Sequence, residues 1–298
     1  MKKIVILTTG SGNDYANRIL QCIRYSIGNH SDEGREQTFK IRGSEIESFM
    51  DSHLELTPEN VLFHARTAHP SANWMEHMSE LEKQGFRFIN NTSVLKLTSD
   101  KWHSYLELKE IGEMPKTILV TNRNNLDILD GFVNKFIIKT RISQGNGTYV
   151  KLVDGREDRI DRNIFNEFPS GDLLIQDFLD IKAIYRTFCF GDFVLPVLTM
   201  DDNNLWKKSV CLNRKQIGLV MGESKEQDKK IEEITSYALE IQQSFGGEIN
   251  FIDIFELING SFVLSEINTA CNLIIHENKT KASISSYIAE YLIKQANL

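Results

Sequence analysis

Two acidic residues face each other in a β-hairpin that the sequence predicts near the end of the chain. The stretch "FIDIFELINGSFVLSEINTACN", residues 251–272, reads as two apolar strands around the dipeptide Asn259-Gly260. Both turn residues tolerate positive φ angles, which is typical of a two-residue type I′ turn. Such a turn places Asp253 opposite Glu266 and Phe255 opposite Leu264. The two carboxylates then repel each other unless a cation lies near them.

Asn268 adds an amide oxygen to the same face of the hairpin, because side chains alternate between the two sides of a strand. Carboxylate and amide oxygens are ligands that suit Mg²⁺ or Mn²⁺ better than zinc. The pattern therefore indicates a divalent-metal site formed by Asp253, Glu266 and Asn268. The alternative is a solvated sheet end with a different strand register and no metal.

Basic residues that could meet an anion occur in three other segments. Lys139 lies in an apolar stretch that leads into the glycine-containing loop 143–147. Glycines let backbone N–H groups approach a phosphate, although the spacing is not that of a Walker loop and a plain hairpin loop is the alternative. Lys101 is at a predicted helix start, where a cation opposes the helix dipole. Arg186 lies in an apolar strand and needs an anion, either a substrate or an acid of the protein.

Composition limits the class of protein. The chain has 298 residues, a formal net charge of −7, 41% apolar residues and 25% charged residues. This predicts an ordinary globular protein of two domains or one large one, and it argues against a nucleic-acid partner. No apolar run is long enough to span a membrane, so no membrane partner is expected. The four cysteines are far apart, which favours reduced thiols and a cytoplasmic location.

The elements that must position these residues change in character along the chain. An apolar run from Lys3 to Thr8 precedes a helical pattern ending at Gly28, and further strand and helix patterns follow. This order predicts an α/β domain over residues 1–95. The later segments are rich in strands, with an amphipathic helix pattern from Ile231 to Phe245, and predict an α+β region with antiparallel sheets. We divide that region into a central lobe, residues 96–172, and a C-terminal lobe, residues 173–298.

Taken in order, several segments resemble the ATP-grasp superfamily, and specifically its RimK-like carboxylate–amine ligases, such as glutamate ligases. The resemblance runs from roughly residue 60 to residue 275. It is carried by "GFRFINNTSVLKLTSDKWHSYLELKEIGEMPKT", "FIIKTRISQGNGTYVKL", "LLIQDFLD", "IYRTFCFGD" and "INFIDIFELINGSFVLSEINTACNL". It implies an α/β N-terminal domain followed by an α+β ATP-grasp fold, in which two lobes with antiparallel sheets clasp ATP.

The resemblance also implies ATP and Mg²⁺ (or Mn²⁺) as cofactors. Arg186 would be the catalytic residue that stabilises a phosphorylated carboxylate. The hairpin residues Asp253, Glu266 and Asn268 would hold the metal. The residues implied to contact the nucleotide are Lys101, Lys139, Gln144, Gly145, Gly147, Gln176, Asp177, Phe178, Leu179 and Lys207.

The implied activity is that of an ADP-forming ligase, which makes an amide or peptide bond through an acyl-phosphate intermediate. Its partners would be a small-molecule or peptide substrate with a carboxylate and an amine acceptor. Relatives are usually oligomers, so a homo-oligomer is also expected. The sequence departs from the family pattern at Ile184, where an Asp is common, and in "TACNL" after Asn268. A non-catalytic nucleotide-binding module and a phosphotransferase of the same fold are the alternatives.

Overall fold

In a computed structural model, the described residues form three β-sheets with helices packed against them. One sheet is parallel and the other two are antiparallel. Among the described residues, no helix combines the length and the apolar character needed to cross a bilayer. The structure describes residues 2–9, 14–27, 37–67, 71–121, 135–142, 149–154, 162–169, 171–200, 215–219, 221–271 and 273–297.

The first sheet has the strand order β2-β1-β3-β4 and confirms the predicted α/β beginning of the chain. Its strands are β1 (Lys3–Thr8), β2 (Thr38–Arg42), β3 (Val61–Arg66) and β4 (Arg87–Ile89). The surrounding helices are α1 (Asp14–Ser26), α2 (Ile46–Ser52), α3 (Ala72–Lys83) and α4 (Thr92–Ser99), with a 3₁₀ turn at Gly43–Glu45. Strand β3 is buried along its whole length, because helices cover both faces of a parallel sheet.

The second sheet forms the central lobe and has the order β5-β8-β6-β7. Its strands are β5 (Thr117–Val120), β6 (Lys135–Thr140), β7 (Val150–Asp154) and β8 (Leu173–Asp177), preceded by helix α5 (Lys101–Leu108) and including a 3₁₀ segment at Arg162–Glu167. The sheet has its own apolar core, in which Phe136, Phe165 and Ile175 are buried. Because β8 pairs with β5 and β6, this sheet continues beyond residue 172, where we expected the lobe to end.

The third sheet, with the order β11-β10-β9-β12-β13, carries the C-terminal lobe. Its strands are β9 (Ile181–Phe190), β10 (Phe193–Met200), β11 (Lys215–Gly218), β12 (Ile249–Leu257) and β13 (Phe262–Asn268). The helices of this lobe are α6 (Lys225–Phe245), α7 (Leu273–Thr280) and α8 (Ile284–Ala296). The predicted amphipathic helix is confirmed, since Ile234, Ala238 and Ile241 of α6 are buried against this sheet.

The first and third sheets share one apolar core. Ile6 of β1 belongs to the same buried cluster as Phe188 of β9 and Phe251 of β12, with helices α1 and α8 completing it. Asn90, directly after β4, adds polar contacts between the two sheets. Its Oδ1 accepts hydrogen bonds from the backbone N–H of Glu248 at 2.7 Å and of Ile249 at 3.0 Å. The N-terminal domain and the C-terminal lobe are thus held together by both apolar and polar contacts.

The β12–β13 hairpin turns through three residues rather than the two that we predicted. The backbone N–H of Gly260 donates to the carbonyl oxygen of Leu257 at 2.9 Å, and the N–H of Leu257 donates to that of Ser261 at 2.9 Å. Gly260 has a φ of +88°, whereas Asn259 keeps a negative φ and accepts hydrogen bonds from Ser261 through its side chain. A type I′ turn needs two positive φ angles, so the prediction of that turn type is wrong.

The longer turn changes the strand register close to it. Phe255 faces Val263 rather than Leu264, which corrects the predicted pairing of Phe255. A β-bulge in β13 then adds one residue to that strand, and Asp253 faces Glu266 as predicted. The two departures from the predicted register cancel where the acidic residues lie.

Candidate functional site

A pocket between the central sheet and the hairpin brings together five of the predicted site residues. Its empty space, counted together with the opening to solvent, is about 570 Å³. Helix α5, strands β6 and β8 and strand β13 each contribute to its wall. The predicted residues in the lining are Lys101, Lys139, Gln176, Glu266 and Asn268.

Two lysines from different elements of the central lobe enter this pocket. Lys139 projects from β6, and its Nζ donates to Oε1 of Gln176 on the neighbouring strand β8 at 3.1 Å. Burial lowers the pKa of Lys139 to about 8, an effect that Glu266 opposes and Lys101 reinforces. Burial also lowers the pKa of Lys101, again against the charge of Glu266. Such desolvated cations favour an anionic ligand, because another negative charge would offset the cost of their burial.

Glu266 is the acidic counterpart of these lysines. Burial alone would raise the pKa of its carboxyl, but the charges of Lys101 and Lys139 bring the pKa below its ordinary value. The side-chain amide of Asn268 contributes to the same effect by donating to Oε1 of Glu266 at 3.1 Å. Glu266 is therefore a carboxylate at neutral pH, placed between two cations and beside an amide.

Asp253 and Arg186 form a buried ion pair next to Glu266 in the sheet. The guanidinium meets the carboxylate side-on, with Nε donating to Oδ1 at 2.6 Å and Nη2 donating to Oδ2. Both side chains are only 8% exposed. Burial raises the pKa of Asp253, while the charge of Arg186 opposes that rise. The anionic partner that the sequence required for Arg186 is thus an acid of the protein, the same acid that we expected to bind metal.

The donor set on the hairpin fits a hard divalent cation. Glu266 and Asn268 line the pocket, and Asp253 lies directly across the strand pair from Glu266. Mg²⁺ is commonly held by one or two carboxylates while phosphates and water complete its coordination. Among the described residues no cluster of three His, Cys, Asp or Glu side chains forms a metal site. A magnesium ion here would therefore depend on ligand phosphates as well as on the protein.

Arg141 fastens the start of helix α5 to the end of strand β6. Its Nη2 and Nε donate to the carboxylate of Asp100 at 2.7 Å and 2.9 Å, and its Nη1 donates to Asp172 at 2.8 Å. Asp100 also caps helix α5 by accepting from the backbone N–H of Trp102 at 2.9 Å. Because Lys101 directly follows Asp100, this arrangement fixes the position of one pocket lysine relative to the strand that carries the other.

The segment that we expected to contact adenine is only partly in the pocket. Gln176 lines it, whereas Asp177 and Phe178 use their backbone N–H groups to bond the carbonyl oxygens of Lys116 and Lys135. Leu179 follows in the connection between β8 and β9. The remaining predicted nucleotide contacts lie outside the described residues. They are Gln144, Gly145, Gly147 and Lys207.

Several pocket residues were not predicted from the sequence. Thr117 accepts a hydrogen bond from Nε2 of Gln176 at 2.9 Å, and Thr98 lies 3.4 Å from Thr269 between their hydroxyl oxygens. The three threonines line the pocket, together with Tyr105. No motif marks these residues, because their place depends on which strands and helices become neighbours. The pairing of β5 with β8 brings Thr117 to Gln176.

Two curated proteins with sequence similarity to this chain are ligases. The tyramine–L-glutamate ligase of Methanocaldococcus fervens is 24% identical over 210 residues, which is 70% of this chain but only 56% of that protein. The α-aminoadipate–LysW ligase LysX of Sulfurisphaera tokodaii is 24% identical over 255 residues, 82% of this chain and 83% of that protein. No protein-family model matches the chain.

Solved structures show the same architecture. The ATP-grasp ligase PsnB in complex with a minimal precursor has a TM-score of 0.71 at 12% identity, over 99% of each chain. The N5-carboxyaminoimidazole ribonucleotide synthetase of Thermotoga maritima has a TM-score of 0.66 at 14% identity, over 98% of this chain and 76% of that one. The predicted ATP-grasp fold and the resemblance to ATP-grasp ligases are thereby confirmed.

Proposed function

We propose that this chain, which has the ATP-grasp fold, is an ATP-dependent ligase that joins a carboxylate to an amine and releases ADP. One observation carries the proposal. Lys101 and Lys139 enter a single pocket beside Glu266 and Asn268, so cations for phosphates and oxygens for a metal lie together. The names of the two sequence relatives, both of which are ligases, support the same reaction type.

The two lysines would neutralise the phosphates of ATP. Phosphoryl transfer needs alignment and charge neutralisation more than covalent help from protein groups. We propose that Asp253, Glu266 and Asn268 hold Mg²⁺ (or Mn²⁺), which would supply charge neutralisation on the phosphate oxygens when bound. PsnB has been solved with Mg and ADP, which supports nucleotide and magnesium use by this fold.

Arg186 would stabilise the phosphorylated carboxylate of the substrate. The side-on contact with Asp253 holds its guanidinium in a fixed orientation, and Nη1 lies 3.3 Å from Nε2 of His276. A charge positioned in this way stabilises a developing anion without reorganising during the reaction. Further nucleotide contacts are proposed from the sequence alone. They are Gln144, Gly145, Gly147, Asp177, Phe178, Leu179 and Lys207.

The substrates proposed are a small molecule or peptide with a carboxylate and an amine acceptor, as in RimK-like ligases. PsnB was solved with a precursor peptide, and the names of the sequence relatives refer to amino acids, tyramine and LysW. Among the described residues, Cys22, Cys189 and Cys271 form no disulfide. We propose a cytoplasmic location, where thiols stay reduced. We also retain the proposal of a homo-oligomer.

A non-catalytic nucleotide-binding module is the second candidate function. Ile184, where the family commonly has an Asp, is a core residue with only 2% exposure. In addition, both carboxylate oxygens of Asp253 already accept hydrogen bonds from Arg186. These two features would fit a pocket that binds nucleotide without turnover.

Substrate-dependent ADP release tests the proposal. The purified chain, ATP and Mg²⁺ would be screened against amino acids and short peptides as carboxylate and amine donors, with product masses measured. We expect an amide product from at least one pair, and a loss of about 100-fold or more in ADP release for Glu266→Gln. ATP binding without any product would favour the non-catalytic module, and a stable phosphorylated product would indicate a phosphotransferase.

Glu256→Gln is the matched control for Glu266→Gln. Glu256 is a buried acid of the same hairpin, but Lys182 at 2.8 Å and the hydroxyl of Tyr185 at 2.6 Å take up its charge. This substitution should lower stability and leave magnesium-dependent nucleotide binding intact. If both variants retained full turnover, the assignment of Glu266 would be wrong.

A further inference from the structure

Arg66, the last residue of β3, is a buried arginine without a carboxylate partner in the described part of the chain. Arg66 is only 4% exposed to solvent. Nη2 donates to the carbonyl oxygen of Cys271, and Cζ lies 5.6 Å from the ring centroid of Tyr15. Nε is fully buried and has no hydrogen-bond partner among the residues that the structure describes. A carbonyl group and an aromatic ring offset only part of the cost of burying a full charge.

Other arginines of the chain show what Arg66 lacks. Arg186 is about as buried, and Asp253 meets it through both Nε and Nη2. Arg42 lies at the same edge of the first sheet, since both Arg42 and Arg66 are aligned with Thr8 of β1. The side chain of Arg42 is 50% exposed and lies 3.8 Å from Glu45. Among the described residues, Arg66 has neither a carboxylate partner, as Arg186 has, nor the solvent exposure of Arg42.

The place of Arg66 in the sheet is one where open parallel sheets bind ligands. Strand β1 has β2 on one side and β3 on the other, so the direction of the strand order reverses between β1 and β3. Ligands of such sheets lie beyond the carboxyl ends of the strands at this switch point. Arg66 and Thr8 end the two strands that border it.

A short segment connects Arg66 with the pocket already described. Thr269 lines that pocket, and its hydroxyl donates to the carbonyl oxygen of Thr67 at 3.1 Å. Two residues later, the carbonyl oxygen of Cys271 accepts the hydrogen bond from Arg66. The segment after β13 therefore contacts both the pocket and the carboxyl end of β3.

We propose that Arg66 binds a free carboxylate of the substrate, separate from the carboxylate that is activated at the pocket. This inference rests on the proposed ligase function. Nε and the remaining hydrogen of Nη2 match the two oxygens of a carboxylate in the side-on arrangement that Asp253 makes with Arg186. The substrate class is thus an amino acid or a peptide end that keeps an ionised carboxylate in the product.

Thermal unfolding of the full chain with malonate, at constant ionic strength against chloride, tests the subsite without turnover. Malonate up to about 50 mM covers the millimolar affinities expected of a single charged contact. We expect the melting temperature of the wild type to rise with malonate, and Arg66→Met to weaken the apparent affinity at least about tenfold. Arg42→Met removes one charge from the same sheet edge and should respond like the wild type.

Two further variants separate this site from the nucleotide pocket. Lys139→Met should keep the malonate response, and Arg66→Lys, which retains a charge but lacks the planar fork, should lose most of it. An equal response in wild type and Arg66→Met would overturn the proposal, as would no response of the wild type. A shift produced by phosphate and not by malonate would overturn the choice of a carboxylate.

The source of the carboxylate follows from a second pair of probes. L-alanine is compared with L-alaninamide, and a short peptide without acidic side chains is compared with its C-terminally amidated form. Loss of the melting-temperature shift in one amidated member identifies an amino acid or a peptide end as the ligand. A shift that survives amidation in both pairs would contradict the subsite. Because none of these measurements needs ATP turnover, a failure here leaves the ADP-release result to decide the proposed function.

Discussion

Raising the pH should weaken nucleotide binding by removing the proton of Lys139. Burial lowers the pKa of this ammonium group from 10.5 to about 8. Bound phosphates favour the charged form and raise the pKa again, so the nucleotide binds the protonated lysine. Below pH 8 the free protein already carries that proton. Above pH 8 the free protein loses it and binding must restore it, so affinity decreases as the pH rises.

The size of the effect follows from the shift. Restoring the ordinary pKa would correspond to about 3 kcal/mol at full burial, or roughly tenfold in affinity per pH unit above pH 8. The side chain of Lys139 is only half-buried, so solvent screening reduces this value. We expect a decrease of about tenfold in ADP affinity between pH 7.5 and pH 9.5.

Isothermal titration calorimetry with ADP and Mg²⁺ measures this dependence. Two buffers with different ionisation heats would show proton uptake on binding at pH 8.5 or above. Lys139→Met should bind ADP more weakly at pH 7.5 and with little pH dependence. Lys151→Met is the control, because Lys151 is on the adjacent strand β7 and pairs with Glu167. The same pH slope in Lys139→Met and wild type would refute the role of Lys139.

Two further substitutions test contacts that hold the site in place. Asp253→Asn leaves the guanidinium of Arg186 buried without its carboxylate, so the free energy of unfolding measured in urea should fall by about 3–5 kcal/mol. Replacing both residues by apolar ones should recover most of that loss. An unchanged unfolding midpoint in Asp253→Asn would contradict the buried pair. Asp100→Asn weakens the contacts with Arg141, so it should lower the free energy of unfolding by about 1–3 kcal/mol and also weaken ADP binding. Asp172→Asn loses a single contact with Arg141 and should change both quantities less. Equal effects of the two substitutions would show that Asp100 does not position Lys101.

Much of the site was predictable because it depends on local pairing. Asp253 and Glu266 are in adjacent strands joined by a short turn, so the periodicity of the two strands nearly determines which side chains face each other. The predicted turn type is wrong, because Gly260 is the one residue of this turn with a positive φ. The bulge in β13 compensated for the error, and that compensation could not be foreseen from residue types.

The contacts that were missed depend on strands far apart in the sequence. Arg186 and Asp253 meet because β9 and β12 are neighbours in the sheet, although 67 positions separate the two residues. The sequence required an acid near Arg186 but did not indicate which one. In the same way, β8 belongs to the central sheet because it pairs with β5 and β6, so the predicted boundary between lobes fell before a strand that the sheet includes.

The central sheet has a core of its own, so the two sides of the pocket belong to different packing units. Val120, Phe136 and Ile175 pack among themselves, whereas the first and third sheets divide one core between them. Separating the central sheet from the hairpin would leave that shared core intact, whereas separating the first sheet from the third would expose apolar side chains of both. Lys139 thus lies on a sheet with its own core, whereas Arg66 lies on a sheet whose core is shared with the C-terminal lobe.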